Sequence, residues 1–305
     1  MKPILSVRDL ASQLGVKPDS LRSVAENIHS HYKTFPLQVG GKVRTLAVPD
    51  AELKGIQRLI NSNIVAKIAL APGVYGGVRG GSPRKNAGEH MHQPCVVNMD
   101  VKEFFPNVRH YMVYRTFKHE LRFGRDVASL LTRLTTYRSS LPQGAPTSTG
   151  IANLLLSRPV DGPVRADAKT RGLRYSRFVD DIAISGKEPR PLISFIAKLL
   201  SRRRLPIHRH KVNGKAKLKI IRSGRAQQVT GLIVNAPRGL SVALSRRDKI
   251  RSAIWALRHV RKHEVLSAVN SIRGKIGYVE QFNPGAAQRL NRYLESTLAR
   301  RWPSS

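Results

Sequence analysis

Three aspartates carry the clearest chemical signal in this sequence. Asp180 and Asp181 lie side by side in "YSRFVDDIAIS" (175–185), and Asp100 ends the apolar run of "CVVNMDVKEFFPNV" (95–108). An Asp pair is an ordinary turn feature, because its side chains cap nearby backbone donors. The flanks, Arg174 to Phe178 and Ile182 to Ser185, alternate and are rich in β-formers, which predicts a tight hairpin with the pair at its tip. Adjacent carboxylates repel by about 1 kcal/mol in water and about 4 kcal/mol at an intermediate effective dielectric, a cost that a divalent cation removes. Asp100 closes an otherwise apolar strand, a place that packing explains poorly and a ligand or catalytic group on a rigid element explains better.

Composition sharpens the question of why carboxylates should meet. The chain holds 54 Lys and Arg against 19 Asp and Glu, a formal net charge of +35. Such a surplus, spread along most of the chain, implies a polyanionic partner, with nucleic acid ahead of an anionic membrane surface. No run of 18 apolar residues and no signal-peptide pattern at "MKPILSVRDL" is present, so no membrane span is expected. One cysteine, Cys95, excludes an internal disulfide and fits a reducing environment, which predicts a cytoplasmic protein. At 305 residues with 41% hydrophobic content, the chain can bury a real core in one large or two modest domains.

The elements that must position these groups are legible in outline. Residues 6 to 32 have helical spacing, and "QVGGKVRTLAVPD" (38–50) reads as a short hairpin carrying Lys42 and Arg44. A helix is predicted after Pro49, with Leu53, Ile56, Leu59, Ile60 and Ile64 at i, i+3, i+4 intervals. "PGVYGGVRGGSPRKNAGEH" (72–90) lacks Walker A spacing and reads equally as a flexible connector or as a basic loop whose bare backbone can approach phosphates. "LPQGAPTSTGIANLLLS" (141–157) is a Pro/Gly loop running into an apolar helix, and "QQVTGLIVN" (227–235) reads as a strand. From Ser245 the chain turns helical, with Ile250, Ile254 and Leu257 on one face and Arg246, Arg247, Arg251, Arg258 and Arg261 largely elsewhere. A solvated face is the ordinary reading of such a stripe, but the arginine density favours phosphate tracking. His90, His92 and Cys95 do not have the spacing of a common zinc site.

Taken in order, Asp100 in "DVKEFFPNV", the loop "LPQGAPTS" and the hairpin "FVDD" resemble the palm motifs of reverse transcriptases, over roughly residues 40 to 235. "NAGEH" (86–90) resembles the N-A-x-x-H element of bacterial retron reverse transcriptases, and "VTG" (229–231) resembles their signature after the third palm motif. The resemblance implies an α/β (α+β) right-hand polymerase. Residues 1–92 would form an N-terminal helical region and fingers, 93–240 a palm with a fingers insertion at about 125–165, and 241–305 a helical thumb. It further implies an RNA-directed DNA polymerase that copies a cognate structured non-coding RNA into a short single-stranded DNA. That DNA would be joined to a guanosine of the RNA by a 2′,5′ bond (msDNA), in antiphage defence with an effector protein encoded nearby. Another small bacterial reverse transcriptase, diversity-generating or defence-associated, is the nearest alternative. A non-catalytic RNA-binding scaffold is the other, and the presence of all three aspartates counts against it.

The resemblance also implies roles for single residues. Asp100 and Asp180, with the Val101 carbonyl, would hold two Mg²⁺ ions (Mn²⁺ being the substitute), while Asp181 supplies nearby charge. Phe105 falls where the family places an aromatic ring beneath the sugar, which selects dNTPs; its ordinary reading is a core aromatic. Gln143 would line the nucleotide pocket, Arg44 would neutralise the triphosphate, and Lys217 would protonate pyrophosphate, with Lys215 and Lys219 as neighbours able to take that part. Asn86, His90, Val229, Thr230 and Gly231 would contact RNA, as would the thumb residues Arg246, Arg247, Arg251, Arg258 and Arg261. Two departures stand out: Phe178 where most retron enzymes have Tyr, and Thr149 where the family usually has Pro. Neither touches a metal ligand.

Overall fold

The computed structural model describes residues 2–39, 42–208, 211–212, 215–216 and 218–301. The expected helical run near the N-terminus is two helices, α1 (Val7–Leu14) and α2 (Pro18–Glu26). Gly15 separates them with φ 67°, the left-handed C-cap conformation that glycine adopts without a Cβ penalty. Antiparallel β1 (Tyr32–Val39) and β2 (Lys42–Pro49) make a longer hairpin than the one predicted over 38–50. Asp50 then caps α3 (Ala51–Asn63) by accepting the Leu53 N–H at 2.9 Å, and Leu53, Ile56 and Ile60 point into the core as their spacing predicts.

A short helix, α4 (Pro83–Gly88), leads to β3 (Cys95–Asp100). Five helices fill the connection to the next strand: α5 (Phe104–Asn107), α6 (His110–Arg115), α7 (Arg125–Thr135), α8 (Ser148–Leu156) and α9 (Gly162–Thr170). The hairpin β4 (Arg174–Phe178) and β5 (Asp181–Gly186) follows, then α10 (Arg190–Arg202) and strands β6 (Lys211–Val212), β7 (Lys215–Ala216) and β8 (Lys219–Arg222). The central sheet has the order β4-β5-β3-β8, antiparallel throughout. The Gly-rich stretch is no free connector. Val74 bridges to Arg177, and the Arg177 and Tyr75 N–H groups donate to the Gly73 and Arg177 carbonyls at 2.8 and 2.9 Å, lengthening the sheet beyond β4.

Side-chain alternation gives the sheet two working faces. Val97, Met99, Ile182 and Ile184 enter a large core built with the N-terminal helices and α5 to α10. Val96 and Ala183, on the opposite face, join a second core. That core is completed by β9 (Gln228–Val229), β10 (Leu232–Ile233), β11 (Ser241–Val242) and the helices α11 (Leu244–Ala256), α12 (Val265–Glu280) and α13 (Pro284–Arg301). Burying each such aliphatic side chain contributes about 1.5–3 kcal/mol, so the sheet is fixed from both sides.

Two sequence expectations change here. The strand predicted over 227–235 is a hairpin, because Leu232 pairs with Val229 and leaves Thr230 and Gly231 as a two-residue turn. Their φ values of 45° and 81° are the type I′ pattern, whose twist matches that of the flanking strands. The arginine-bearing helix is not continuous either. It ends at Ala256, a 3₁₀ turn spans Leu257–His259, and extended Val260 starts the return toward α12. Leu257 is buried in the second core, which pulls the chain out of the helical path. Among the described residues, no helix is long and apolar enough to cross a membrane.

Candidate active site

Asp100 ends β3 directly opposite Asp181, the first residue of β5, in an antiparallel register. Alternation puts Asp100 on the face of Val96 and Asn98, and Asp181 on the face of Ala183, so both carboxylates belong to the side of the second core. Asp180 occupies the β4–β5 turn beside them. One carboxylate oxygen from each of the three aspartates lies within 4.8 Å of the others. Backbone bonds pin the arrangement: Val101 N–H donates to the Asp180 carbonyl at 3.3 Å, and His208 N–H to the Asp100 carbonyl at 2.9 Å. Three carboxylates this close repel, and an all-oxygen donor set is what a hard divalent cation takes. The residues present therefore fit divalent cations such as Mg²⁺.

The turn itself is strained. Phe178 pairs with Asp181, leaving Val179 and Asp180 as the two central residues, and only Val179 has positive φ, at 61°. This is the type II′ pattern, in which glycine normally holds the first place. A β-branched residue in that conformation costs about 1–3 kcal/mol. Gly76 packs against it so closely that a Cβ there would lie 2.4 Å from the Val179 nitrogen.

A cavity of about 610 Å³ opens beside the carboxylates. Asn98, Asp100, Asp181, Lys219, Gln228 and Thr230 are among its walls. The turn of the β9–β10 hairpin thus faces the aspartates across an open space, which a single-strand reading of 227–235 could not show.

The remaining predicted residues sort by burial. Val101 is buried at the end of β3. Phe104 is a core residue and Phe105 is half-buried, with ring centroids 5.5 Å apart, so of the two only Phe105 has a surface to offer. Gln143 is half-buried, and its carbonyl accepts the Ala47 N–H at 2.9 Å. That bond ties the glutamine loop to β2, where Arg44 is exposed. Lys217 lies outside the described residues, while Lys219 lines the cavity.

Three residues expected to contact RNA are buried, and two of them, Asn86 and Val229, still line the cavity. His90 is fully buried against the face of β4 and β5, its two ring nitrogens 2.7 Å from the hydroxyls of Ser185 and Ser176. Burial, with the Arg174 charge adding to it, lowers its pKa to about 3, so the ring is neutral. Asn86 is buried too, and its amide donates to the Thr230 hydroxyl at 3.1 Å. Val229 is buried in the second core. The "NAGEH" and "VTG" elements are therefore in contact with each other, and Asn86, Val229, Thr230 and Gly231 all line the cavity. Of the C-terminal arginines, Arg246, Arg251, Arg258 and Arg261 are exposed and Arg247 is partly buried. The Arg246 guanidinium sits 4.6 Å from the Tyr278 ring centroid.

One pair escaped the sequence reading. Arg177 and Asp161 are fully buried and joined at 2.7 Å. Burial alone would lower the arginine's pKa, but the Asp161 carboxylate outweighs it and leaves it raised. Asp161 closes a π-turn over Ser157–Asp161, where Pro159 has no N–H to continue the α-helical ladder. The available signal was an arginine inside the alternating strand "YSRF" and an aspartate at the end of the apolar "IANLLLSRPVD".

Known proteins resemble this chain in sequence. A family model described as reverse transcriptase (RNA-dependent DNA polymerase) matches residues 35–232. The chain is 32% identical to the retron Mx65 reverse transcriptase of Myxococcus xanthus, over 93% of this chain and 70% of that protein. It is 26% identical to the retron Ec86 reverse transcriptase of Escherichia coli, over 96% of this chain and 89% of that one. It is also 32% identical to the retron Se72 reverse transcriptase of Salmonella heidelberg, over 68% of this chain and 57% of that protein. The family match spans the strands that bring the aspartates together, and the relatives extend the likeness across the C-terminal helices. The chain accordingly belongs to the reverse transcriptases, within their retron-type group, and is an RNA-directed DNA polymerase.

Proposed function

We propose that this polymerase copies a cognate structured non-coding RNA into a short single-stranded DNA that stays joined to the RNA, and that it serves antiphage defence together with an effector protein encoded nearby. The observation that carries the catalytic part is the gathering of Asp100, Asp180 and Asp181 within 4.8 Å beside an open cavity. The retron-specific part is supported by likeness to named retron enzymes over most of the chain. A reducing cytoplasm suits its single, buried cysteine.

In this reading residues 93–240 form the palm, with an insertion at about 125–165. Residues 1–92, with the β1–β2 hairpin, form the fingers, and 241–305 form the thumb. Asp100 and Asp180, with the Val101 carbonyl, hold two Mg²⁺ ions, and Asp181 adds negative charge at their side. When bound, such ions supply Lewis-acid stabilisation of the attacking and leaving oxygens of an in-line displacement. Phe105 presents its half-buried ring to the incoming sugar and excludes a ribose 2′-hydroxyl, which favours dNTPs. Gln143 and Arg44, linked through the Ala47–Gln143 backbone bond, line the path of the nucleotide and its triphosphate. A lysine of this segment, Lys217 or its neighbours Lys215 and Lys219, donates a proton to pyrophosphate, and the position of Lys219 on the cavity wall supports that role. Thr230, Gly231 and the exposed C-terminal arginines face the nucleic acid.

Primer extension with dNTPs and competing ribonucleotides, run beside RNA-binding titrations, tests this assignment. Asp180→Asn and Asp100→Asn should abolish extension and leave RNA affinity within about twofold, because affinity comes from distributed phosphate contacts. Phe105→Ala should raise the ribonucleotide share. Near-normal extension by both aspartate variants would overturn the proposed roles of these carboxylates.

A further inference from the structure

The β4–β5 turn carries Asp180 in a conformation that its own sequence resists. Something must hold Val179 at φ 61°, and the surrounding bonds show what does. Arg177, two residues earlier, directs one Nη1 hydrogen to the Val179 carbonyl at 2.7 Å and the other to Asn153 Oδ1 at 2.9 Å. Its Nε and Nη2 grip the two Asp161 oxygens at 2.8 and 2.7 Å. The Tyr175 hydroxyl donates to the same carboxylate at 2.6 Å. Asn153 in turn donates from Nδ2 to the Gly76 carbonyl at 2.8 Å, and Gly76 is the residue packed onto the Val179 nitrogen.

These bonds close a ring around one peptide. The Val179 carbonyl belongs to the peptide that links Val179 to Asp180, and Arg177 fixes its orientation. The Asp180 carbonyl, at the next peptide, is fixed by Val101 N–H. Asp180 is therefore held by its backbone on both sides, one side by the strand that carries Asp100 and the other by Arg177. A buried ion pair is a weak source of stability, since its desolvation offsets most of its attraction. Core packing alone could use aliphatic residues here. A fork of five donors in fixed geometry, able to bind a carboxylate and still reach a carbonyl, is what a positioning role needs.

We infer that the Arg177–Asp161 pair is a positioning device for catalysis, in which Arg177 fixes the Val179 carbonyl and so holds the strained turn that presents Asp180 to Asp100 and Asp181. Arg177 touches neither substrate nor metal, and it acts through the backbone of Asp180. The inference rests on the proposed metal-holding role of the three aspartates, so the experiment includes a variant that tests this role separately.

Four full-length proteins suffice: wild type, Arg177→Lys, Asn153→Ala and Asp180→Asn. Arg177→Lys keeps the charge but cannot bind Asp161 with two donors and reach Val179 as well. Asn153→Ala cuts the link to Gly76 and removes one Arg177 acceptor while leaving the buried charges paired. Mn²⁺ binding is measured directly by electron paramagnetic resonance, kcat and KM for dNTP by primer extension, RNA affinity by titration, and the folded fraction by near-ultraviolet circular dichroism. Per folded molecule, Arg177→Lys should lower kcat about 100-fold, the scale expected for ångström misplacement of a reacting group. Mn²⁺ binding should weaken about tenfold, as for other groups that orient metal ligands. Asn153→Ala should change both in the same direction by less, and KM for dNTP and RNA affinity should stay within about twofold in both variants, because only the Asp180 backbone is disturbed. If wild-type kcat and Mn²⁺ binding persist per folded molecule in these variants, the positioning role is overturned. It is equally overturned if KM and RNA affinity worsen in step with kcat, the mark of general loosening. If Arg177→Lys yields no folded protein, Asn153→Ala alone decides by the same criteria. Unchanged Mn²⁺ binding in Asp180→Asn would instead overturn the role of the aspartates.

Discussion

His90 illustrates how a motif residue can matter without reaching a ligand. Its ring is enclosed, both nitrogens face serine hydroxyls of adjacent strands, and its pKa falls to about 3. The sign of the pH effect follows from linkage. In the unfolded chain the imidazole takes a proton below its ordinary value near 6.5, while the folded one stays neutral down to about 3. Its contribution to stability is complete above pH 6.5 and is lost as pH falls from there toward 3, by up to about tenfold in the folding equilibrium per pH unit. Urea unfolding at pH 7.5, 6.5 and 5.5 should show wild type losing more stability than His90→Gln, which keeps a donor and an acceptor but cannot be protonated. Parallel losses in the two proteins would mean that His90 is not buried in its neutral form.

At the scale of elements, the shape of the β4–β5 hairpin depends on its neighbour in space as well as on its own residues. The Gly73–Gly77 stretch lies along β4 with its backbone against the turn, which only a residue without Cβ permits at position 76. A Cβ on Gly76 would meet the Val179 nitrogen at 2.4 Å and the Phe178 carbonyl carbon at 2.8 Å, and backbone cannot step aside as a flexible side chain would. Gly76→Ala should therefore cost about 1–3 kcal/mol in unfolding free energy and displace the turn. Extension should fall far more than the folded fraction, whereas Gly88→Ala, with open space around its Cβ position, should leave extension intact. Equal rates for Gly76→Ala and wild type would show that the close approach does not position the turn.

At the scale of the whole molecule, the arginine surface proposed to meet the nucleic acid is discontinuous. Arg246 and Arg251 lie on α11, Arg258 on the 3₁₀ turn after it, and Arg261 beyond that turn. The pairing of Arg251 with Asp248 at 3.7 Å is an exposed contact, so the guanidinium is readily given up to a phosphate. Such a surface suits recognition of RNA by backbone and shape, since the A-form major groove is too narrow for side chains to read. Replacing Arg251 and Arg258 together with alanine should weaken RNA binding and reduce the salt slope by about 0.7–0.9 for each phosphate that is no longer neutralised. Base-pair swaps that keep an RNA stem should then cost little, and breaking the stem should cost much. An unchanged salt slope in titrations across salt concentrations would remove these two residues from the interface.

Much of the chemistry was readable along the chain because it is written in local patterns. An Asp at the end of an apolar strand, an Asp pair between two β-rich runs, and a glutamine loop opening an apolar helix declare themselves through residue type and period. Those patterns led to β3, the β4–β5 hairpin and α8, and the spacing of Leu53, Ile56 and Ile60 led to α3. Contacts across sequence were decided only by the tertiary structure. Nothing local shows that Asn86 meets Thr230, that His90 is enclosed by Ser176 and Ser185, or that Leu257 draws the chain out of α11. Burial is a property of what packs on a residue from far away in sequence, so an interior histidine and a ligand-facing one look alike in a string. The same reason hid Arg177 and Asp161. In sequence they are two charges in apolar surroundings; folded together, they are a desolvated pair whose remaining donor reaches the turn of the candidate active site.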